Sequence, residues 1–126
     1  MKIHHVGIAC TSIEGTLSFI EKTYKVIEKT CMVYDPLQDV NLCFITVEDN
    51  LNIELVSGSK VENLIKKNIN LYHLCYEVDD IEKSIKSFID GGSYLISKPK
   101  SAVLFNGRKV CFLTSPLGII ELLEAY

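Results

Sequence analysis

The sequence predicts an α+β fold built from two βαβββ modules, and three observations carry that prediction. The chain matches itself at an offset of 68 residues. Each half opens with a run rich in β-branched and aromatic residues, followed by a capped amphipathic helical pattern. Each half then closes on a series of short strand-like runs separated by turn residues.

The repeat comes first because it organises everything else. At that offset His5-Val6-Gly7-Ile8-Ala9 falls on His73-Leu74-Cys75-Tyr76-Glu77, Ile13-Glu14 on Ile81-Glu82, Leu17 on Ile85 and Ile20 on Phe88. Cys43-Phe44-Ile45 falls on Cys111-Phe112-Leu113 and, after a slip of one residue, Asn52-Ile53-Glu54-Leu55-Val56 falls on Ile119-Ile120-Glu121-Leu122-Leu123. Within module 1, Ile3 to Ala9 reads as a strand. Thr11-Ser12-Ile13-Glu14 has the hydroxyl-then-glutamate spacing of a capping box, and Ile13, Leu17, Ile20 and Tyr24 form a helical stripe. Glu28 to Tyr34, Val40 to Val47 and Leu51 to Val56 read as three further strands. Module 2 repeats the order, with a strand at Leu71 to Val78, an acidic cap at Asp79-Asp80, and the stripe Ile81, Ile85, Phe88 and Ile89, which Gly91-Gly92 ends. Strands at Tyr94 to Lys98, Lys109 to Thr114 and Gly118 to Leu123 follow. Asp49-Asn50, Asn106-Gly107 and Ser115-Pro116-Leu117-Gly118 supply the tight reversals. The expected organisation is one domain with module 1 at 1–56, a linker at 57–70 carrying a short helix over Lys60 to Lys67, and module 2 at 71–126.

Composition bounds the function. A chain of 126 residues with 48% hydrophobic and 23% charged residues can bury roughly two-thirds of its unfolded surface. A formal charge of -3, with the basic residues scattered, argues against a nucleic-acid partner. The start of the chain, Met1-Lys2 with His4 and His5 close behind, holds no apolar stretch suited to export or to a membrane span, so a cytoplasmic location is expected. Five cysteines (Cys10, Cys31, Cys43, Cys75, Cys111), an odd number without a CxxC pair, read as reduced core residues.

Chemistry enters with the polar residues of the apolar strands. Each module carries a histidine on its first strand and a glutamate on its last, His5 with Glu54 and His73 with Glu121, separated by 49 and 48 residues. A lone strand histidine is more often a hydrogen-bonded core residue than a ligand, but here the same pair recurs at the same register of a repeat. An inward carboxylate on such a strand costs several kcal/mol unless it is paired or bound to a cation. Two imidazoles and two carboxylates form a donor set for Zn, Mn, Co, Ni or Fe, with two octahedral positions left for water or a chelating substrate. Alternation sends His4 to the face opposite His5, and Glu124 to the face opposite Glu121. Glu77 shares the face of His73, as either a solvated strand end or an acid/base group.

Ile3-His4-His5-Val6-Gly7-Ile8-Ala9, Asn52-Ile53-Glu54-Leu55-Val56, Tyr72-His73-Leu74-Cys75-Tyr76-Glu77-Val78-Asp79-Asp80-Ile81-Glu82 and Gly118-Ile119-Ile120-Glu121-Leu122-Leu123-Glu124 together resemble the vicinal oxygen chelate (glyoxalase/bleomycin resistance/dioxygenase) superfamily. The similarity is strongest to its methylmalonyl-CoA epimerase-like proteins. It implies a curved mixed sheet around a metal cleft, with His5, Glu54, His73 and Glu121 as ligands of a divalent metal ion. It further implies an isomerase or lyase that stabilises an enolate by chelating a small substrate, an acyl thioester among the candidates, with Glu121 as a catalytic base. The alternatives are a glyoxalase I-like lyase and a non-catalytic binding or resistance protein of the same fold. Two departures from the epimerase pattern stand out. The strand Val40 to Val47 holds no acidic residue for a second base, Asp39 and Glu48 only flanking it, and the loop before the penultimate strand reads Ser101-Ala102-Val103-Leu104-Phe105-Asn106-Gly107-Arg108-Lys109. Lys98, Lys100, Arg108 and Lys109 around that loop are either solvated turns or an anion-binding group, and Ser57 to Lys67 is a candidate lid. Exposed sheet edges make a homodimer the expected assembly.

Overall fold

The computed structural model describes all 126 residues as nine strands and three helices. In chain order these are β1 (Lys2–Ala9), α1 (Ile13–Thr23), β2 (Val26–Lys29), β3 (Val33–Asp35), β4 (Val40–Val47), β5 (Leu51–Ser57), α2 (Glu62–Lys66), β6 (Leu71–Val78), α3 (Ile81–Asp90), β7 (Tyr94–Ser101), β8 (Lys109–Ser115) and β9 (Gly118–Glu124). The chain divides into one unit of His5–Tyr72 and another of His73–Tyr126 joined by Met1–His4.

In the unit His5–Tyr72 the strands run in the order β2-β4-β5-β1, with β3 also on β4. β1 and β5 are parallel and the remaining pairs antiparallel, so the sheet is mixed. In the unit of His73–Tyr126 the order is β6-β9-β8-β7, again with one parallel pair, β6 and β9, and antiparallel neighbours beyond it. The α+β class is that read from the sequence, and the βαβββ order repeats, with the first strand after the helix split in two in the first module.

Each helix covers its sheet through the predicted stripe. Ile13 and Ile20 of α1 meet Cys43, Ile45, Val47, Ile53 and Leu55. Ile81 and Ile85 of α3 meet Cys111, Leu113, Ile120 and Leu122, the same positions one repeat later. Side chains alternate across a strand. Phe44 and Glu54 in one unit, and Phe112 and Glu121 in the other, are therefore turned to the face away from the helix. The caps form as read: the Ser12 hydroxyl accepts from the Gly15 N–H at 3.1 Å, and the Asp80 carboxylate from the Lys83 N–H at 3.0 Å. Gly91 caps α3, and Gly92 follows at φ +106, where a side chain would be strained.

Several expectations need correction. Tyr24 caps the C-terminus of α1 and is 42% exposed, and Ile89 is 46% exposed, so neither belongs to its helix stripe. The strand expected over Glu28 to Tyr34 is two strands, because Thr30–Met32 break it. The helix expected over Lys60 to Lys67 is a 3-10 turn at Ser59–Val61 followed by the short α2, capped by Lys67. β7 runs on to Ser101 rather than ending at Lys98. Cys10, Cys43, Cys75 and Cys111 are buried, whereas Cys31 is exposed, since it lies on the break between β2 and β3 rather than inside a strand. No helix is long and apolar enough to cross a membrane.

Candidate functional site

The two histidine and glutamate pairs are built in the same way. In the unit His5–Tyr72, β1 and β5 run parallel with Gly7 opposite Glu54. His5 Nε2 stands 3.7 Å from Glu54 Oε1, and the two side chains are 0% and 5% exposed. Phe44 is the cross-strand neighbour of Glu54 on β4, and its ring meets the His5 imidazole edge-on with centroids 5.6 Å apart.

The unit of His73–Tyr126 repeats this arrangement. Cys75 lies opposite Glu121 on the parallel pair β6 and β9, and His73 Nε2 is 3.1 Å from Glu121 Oε1, with side chains 0% and 2% exposed. Phe112 is opposite Glu121 on β8, its ring edge-on to His73 at 5.2 Å. The phenylalanines were not among the residues singled out as functional, although the repeat lays Phe44 on Phe112. Their part emerges only from the β4–β5 and β8–β9 registers.

Each pair therefore puts one imidazole nitrogen and one carboxylate oxygen in a dry, aromatic-walled setting. Water screens charge poorly there, so a carboxylate interacts strongly with any cation it meets. Nitrogen and oxygen donors of this kind suit a borderline divalent ion, and all four residues are candidate ligands. The donor chemistry fits the metal expected from the sequence. Beside Glu121, the Cys111 thiol is pushed up to about 12, first by burial and then by the charges of Glu121 and Glu82, so it is inert as a nucleophile.

The neighbouring candidates fall elsewhere. His4 packs edge-on against Phe105 with centroids 5.3 Å apart. Glu77 is neither a solvated strand end nor a free acid/base group, because it accepts from Arg108 Nη1 at 2.9 Å and pairs with Lys2 at 3.3 Å. The hydrogen bond from Arg108 holds its carboxyl below the usual glutamate range, with Lys2 adding to the effect and burial opposing it. Arg108 is itself half-buried, its guanidinium 4.2 Å from the centre of the Tyr126 ring. It does not act with Lys98, Lys100 and Lys109 as one exposed basic group, since Glu77 satisfies its charge.

Two modules of one build, each holding a buried histidine and glutamate pair at equivalent strand positions, define a paired-module α+β protein with candidate metal ligands in both halves. The chain belongs to the Glyoxalase/Bleomycin resistance protein/Dioxygenase superfamily, which its residues 4–112 match. It is 28% identical, over 98% of its own length and 77% of the relative's, to the mitochondrial methylmalonyl-CoA epimerase of Dictyostelium discoideum. It is 27% identical, over 89% of its length and 87% of the relative's, to the ethylmalonyl-CoA/methylmalonyl-CoA epimerase of Cereibacter sphaeroides. Among solved structures, methylmalonyl-CoA epimerase from Mycobacterium tuberculosis aligns with a TM-score of 0.80 over 99% of this chain and 88% of that one, at 17% identity. That likeness shows the glyoxalase-like fold.

Proposed function

We propose that this chain is a divalent-metal-dependent isomerase of the methylmalonyl-CoA epimerase type. In this reading His5, Glu54, His73 and Glu121 are ligands of one cation, and the substrate is a 2-substituted acyl thioester that the protein inverts at the carbon next to its carbonyl. The observation that carries the reading is the buried pair itself, present twice at the same register of a duplicated module. Similarity to two proteins named as epimerases, over nearly the whole chain, supports the substrate class.

When bound between these residues, a divalent ion would supply a Lewis acid for the substrate oxygens. The chain's own residues supply the rest. Glu121 takes the α-proton at a carboxylate oxygen, which lies 3.1 Å from His73 Nε2. Phe44 and Phe112 keep water from the carbanion-like carbon.

Inversion also needs a proton delivered to the opposite face of the carbon. β4 contains no acidic residue, and Asp35, buried at the end of β3, accepts from the Leu37 and Gln38 backbone N–H groups and from Gln38 Nε2. One recognisable carboxylate base favours a second reading, a glyoxalase I-like lyase acting on a thiol adduct with a single base.

Proton/deuterium exchange of 2-substituted malonyl thioesters in heavy water separates these readings. The epimerase reading expects exchange at the α-carbon with loss of optical purity. Metal-loaded protein that exchanges no α-proton of such thioesters, yet turns over hemithioacetals, would replace it with the lyase.

A further inference from the structure

We propose that Cys31 and Cys43 form a reversible thiol-modification site, on the helix-covered face of the first unit's sheet, that takes a low-molecular-weight disulfide and closes to an intramolecular cross-strand disulfide.

The β2–β4 ladder places Glu28 opposite Thr46 and Lys29 opposite Ile45. It continues one step past the end of β2: Thr30 N–H donates to the Phe44 carbonyl at 2.9 Å, and Phe44 N–H donates to the Thr30 hydroxyl at 2.9 Å. Pairing resumes on β3 with Val33 opposite Leu42. Two residues, Cys31 and Met32, therefore face the single residue Cys43, which is the pattern of a β-bulge. In a regular antiparallel ladder opposed α-carbons lie about 4.5–5.5 Å apart and a disulfide spans about 4.4–6.8 Å, so a residue of the bulge facing Cys43 is a candidate for bridging to it.

The two cysteines also line one cavity. A cavity of about 360 Å³ is lined by Ile13, Leu17, Lys29, Cys31, Met32 and Cys43. Cys31 is its exposed thiol, and Cys43, 1% exposed, leans across to the bulge with Sγ 3.4 Å from the Thr30 carbonyl oxygen. Cys43 follows Leu42 and precedes Phe44, so it lies on the face opposite the Phe44 and Glu54 side chains, away from the candidate metal ligands.

The chemistry balances as two exchanges. The Cys31 thiolate attacks one sulfur of the small disulfide, the S–S bond breaks, and a thiolate leaves and takes up a proton. The Cys43 thiolate then attacks the Cys31 sulfur and expels the second small thiol. The protein dithiol is oxidised by two electrons and the small disulfide is reduced to two thiols. Burial raises the Cys43 thiol, opposed by a hydrogen bond with the Thr30 side chain and by the charge of Lys29. Cys31, Cys10 and Glu14 of α1 are the other titratable groups around it. The second exchange proceeds through the Cys43 thiolate, so it quickens as pH rises and the thiolate fraction grows.

The test treats reduced protein with glutathione disulfide and follows intact mass and peptide maps. Wild type is expected to pass through a single adduct at Cys31 to a form lighter by two hydrogens, with Cys31 linked to Cys43, and dithiothreitol restores the starting mass. Cys43→Ala stops at the adduct, and Cys31→Ser reacts at neither position. The wild-type map decides the matter without relying on a variant that packs a smaller residue into the core. A wild-type protein that rests as the Cys31 adduct, or that links two chains through Cys31, would overturn the proposal.

Discussion

Glu54 and Glu121 are carboxylates on strands whose neighbours in sequence are isoleucine, leucine and valine, and each has a histidine as its close polar partner. Such groups are expensive to bury and are kept where something uses the charge. If Glu121 carries the proton, Glu121→Gln lowers α-proton exchange by about 10²–10⁴-fold, a change that nuclear magnetic resonance in heavy water reads directly. These four positions were legible in the sequence because a repeat makes a weak signal count twice. Phe44 and Phe112 were visible as repeated residues without a role, since only the strand register sets them against the glutamates. The contact of Glu77 with Arg108 joins residues 31 apart, and no periodicity announces it. That pair carries its own prediction. Because the folded protein holds the Glu77 carboxyl below its ordinary value, the stability it contributes is fully present above the unfolded value and is lost as pH falls through the lower folded one. Glu77→Gln should therefore be less stable than wild type at neutral pH and should show a flatter decline on acidification, by urea denaturation at several pH values.

At the level of elements, the sequence-derived order survives because two periods, 2 for strands and 3.6 for helices, are written plainly in both halves. What periodicity misses is a change of register. Glu28 to Tyr34 reads as one strand, yet the bulge at Cys31 and Met32 breaks it, because two residues there face one on β4. Helix ends were easier, since a cap is a chemical signal rather than a periodic one. Ser12→Ala and Asp80→Ala are each expected to cost about 1 kcal/mol, from loss of the bond to an otherwise unsatisfied N–H of the first turn. Leu113→Ala, at a residue with no exposure beneath α3, should cost about 2–5 kcal/mol. Both sizes can be measured by denaturant midpoints at constant slope, and equal losses at cap and core would contradict this division.

For the whole molecule, duplication explains why one short chain carries two sets of like residues. β7 lies at the end of its unit's strand order and exposes Tyr94, Leu95 and Ile96, an apolar edge of the kind that a second copy covers in a homodimer. Light scattering at micromolar concentration should report twice the chain mass, and a charged substitution at Ile96 should return the monomer. The central claim is that the two histidine and glutamate pairs serve one cation. Metal analysis of purified, metal-reconstituted protein tests it most directly, with wild type set beside His5→Ala, Glu54→Ala, His73→Ala and Glu121→Ala. The account predicts one divalent ion per chain and a loss of at least tenfold in affinity for a change in either module. Two ions per chain, or a variant of one module that keeps full occupancy while the equivalent variant of the other loses it, would contradict it.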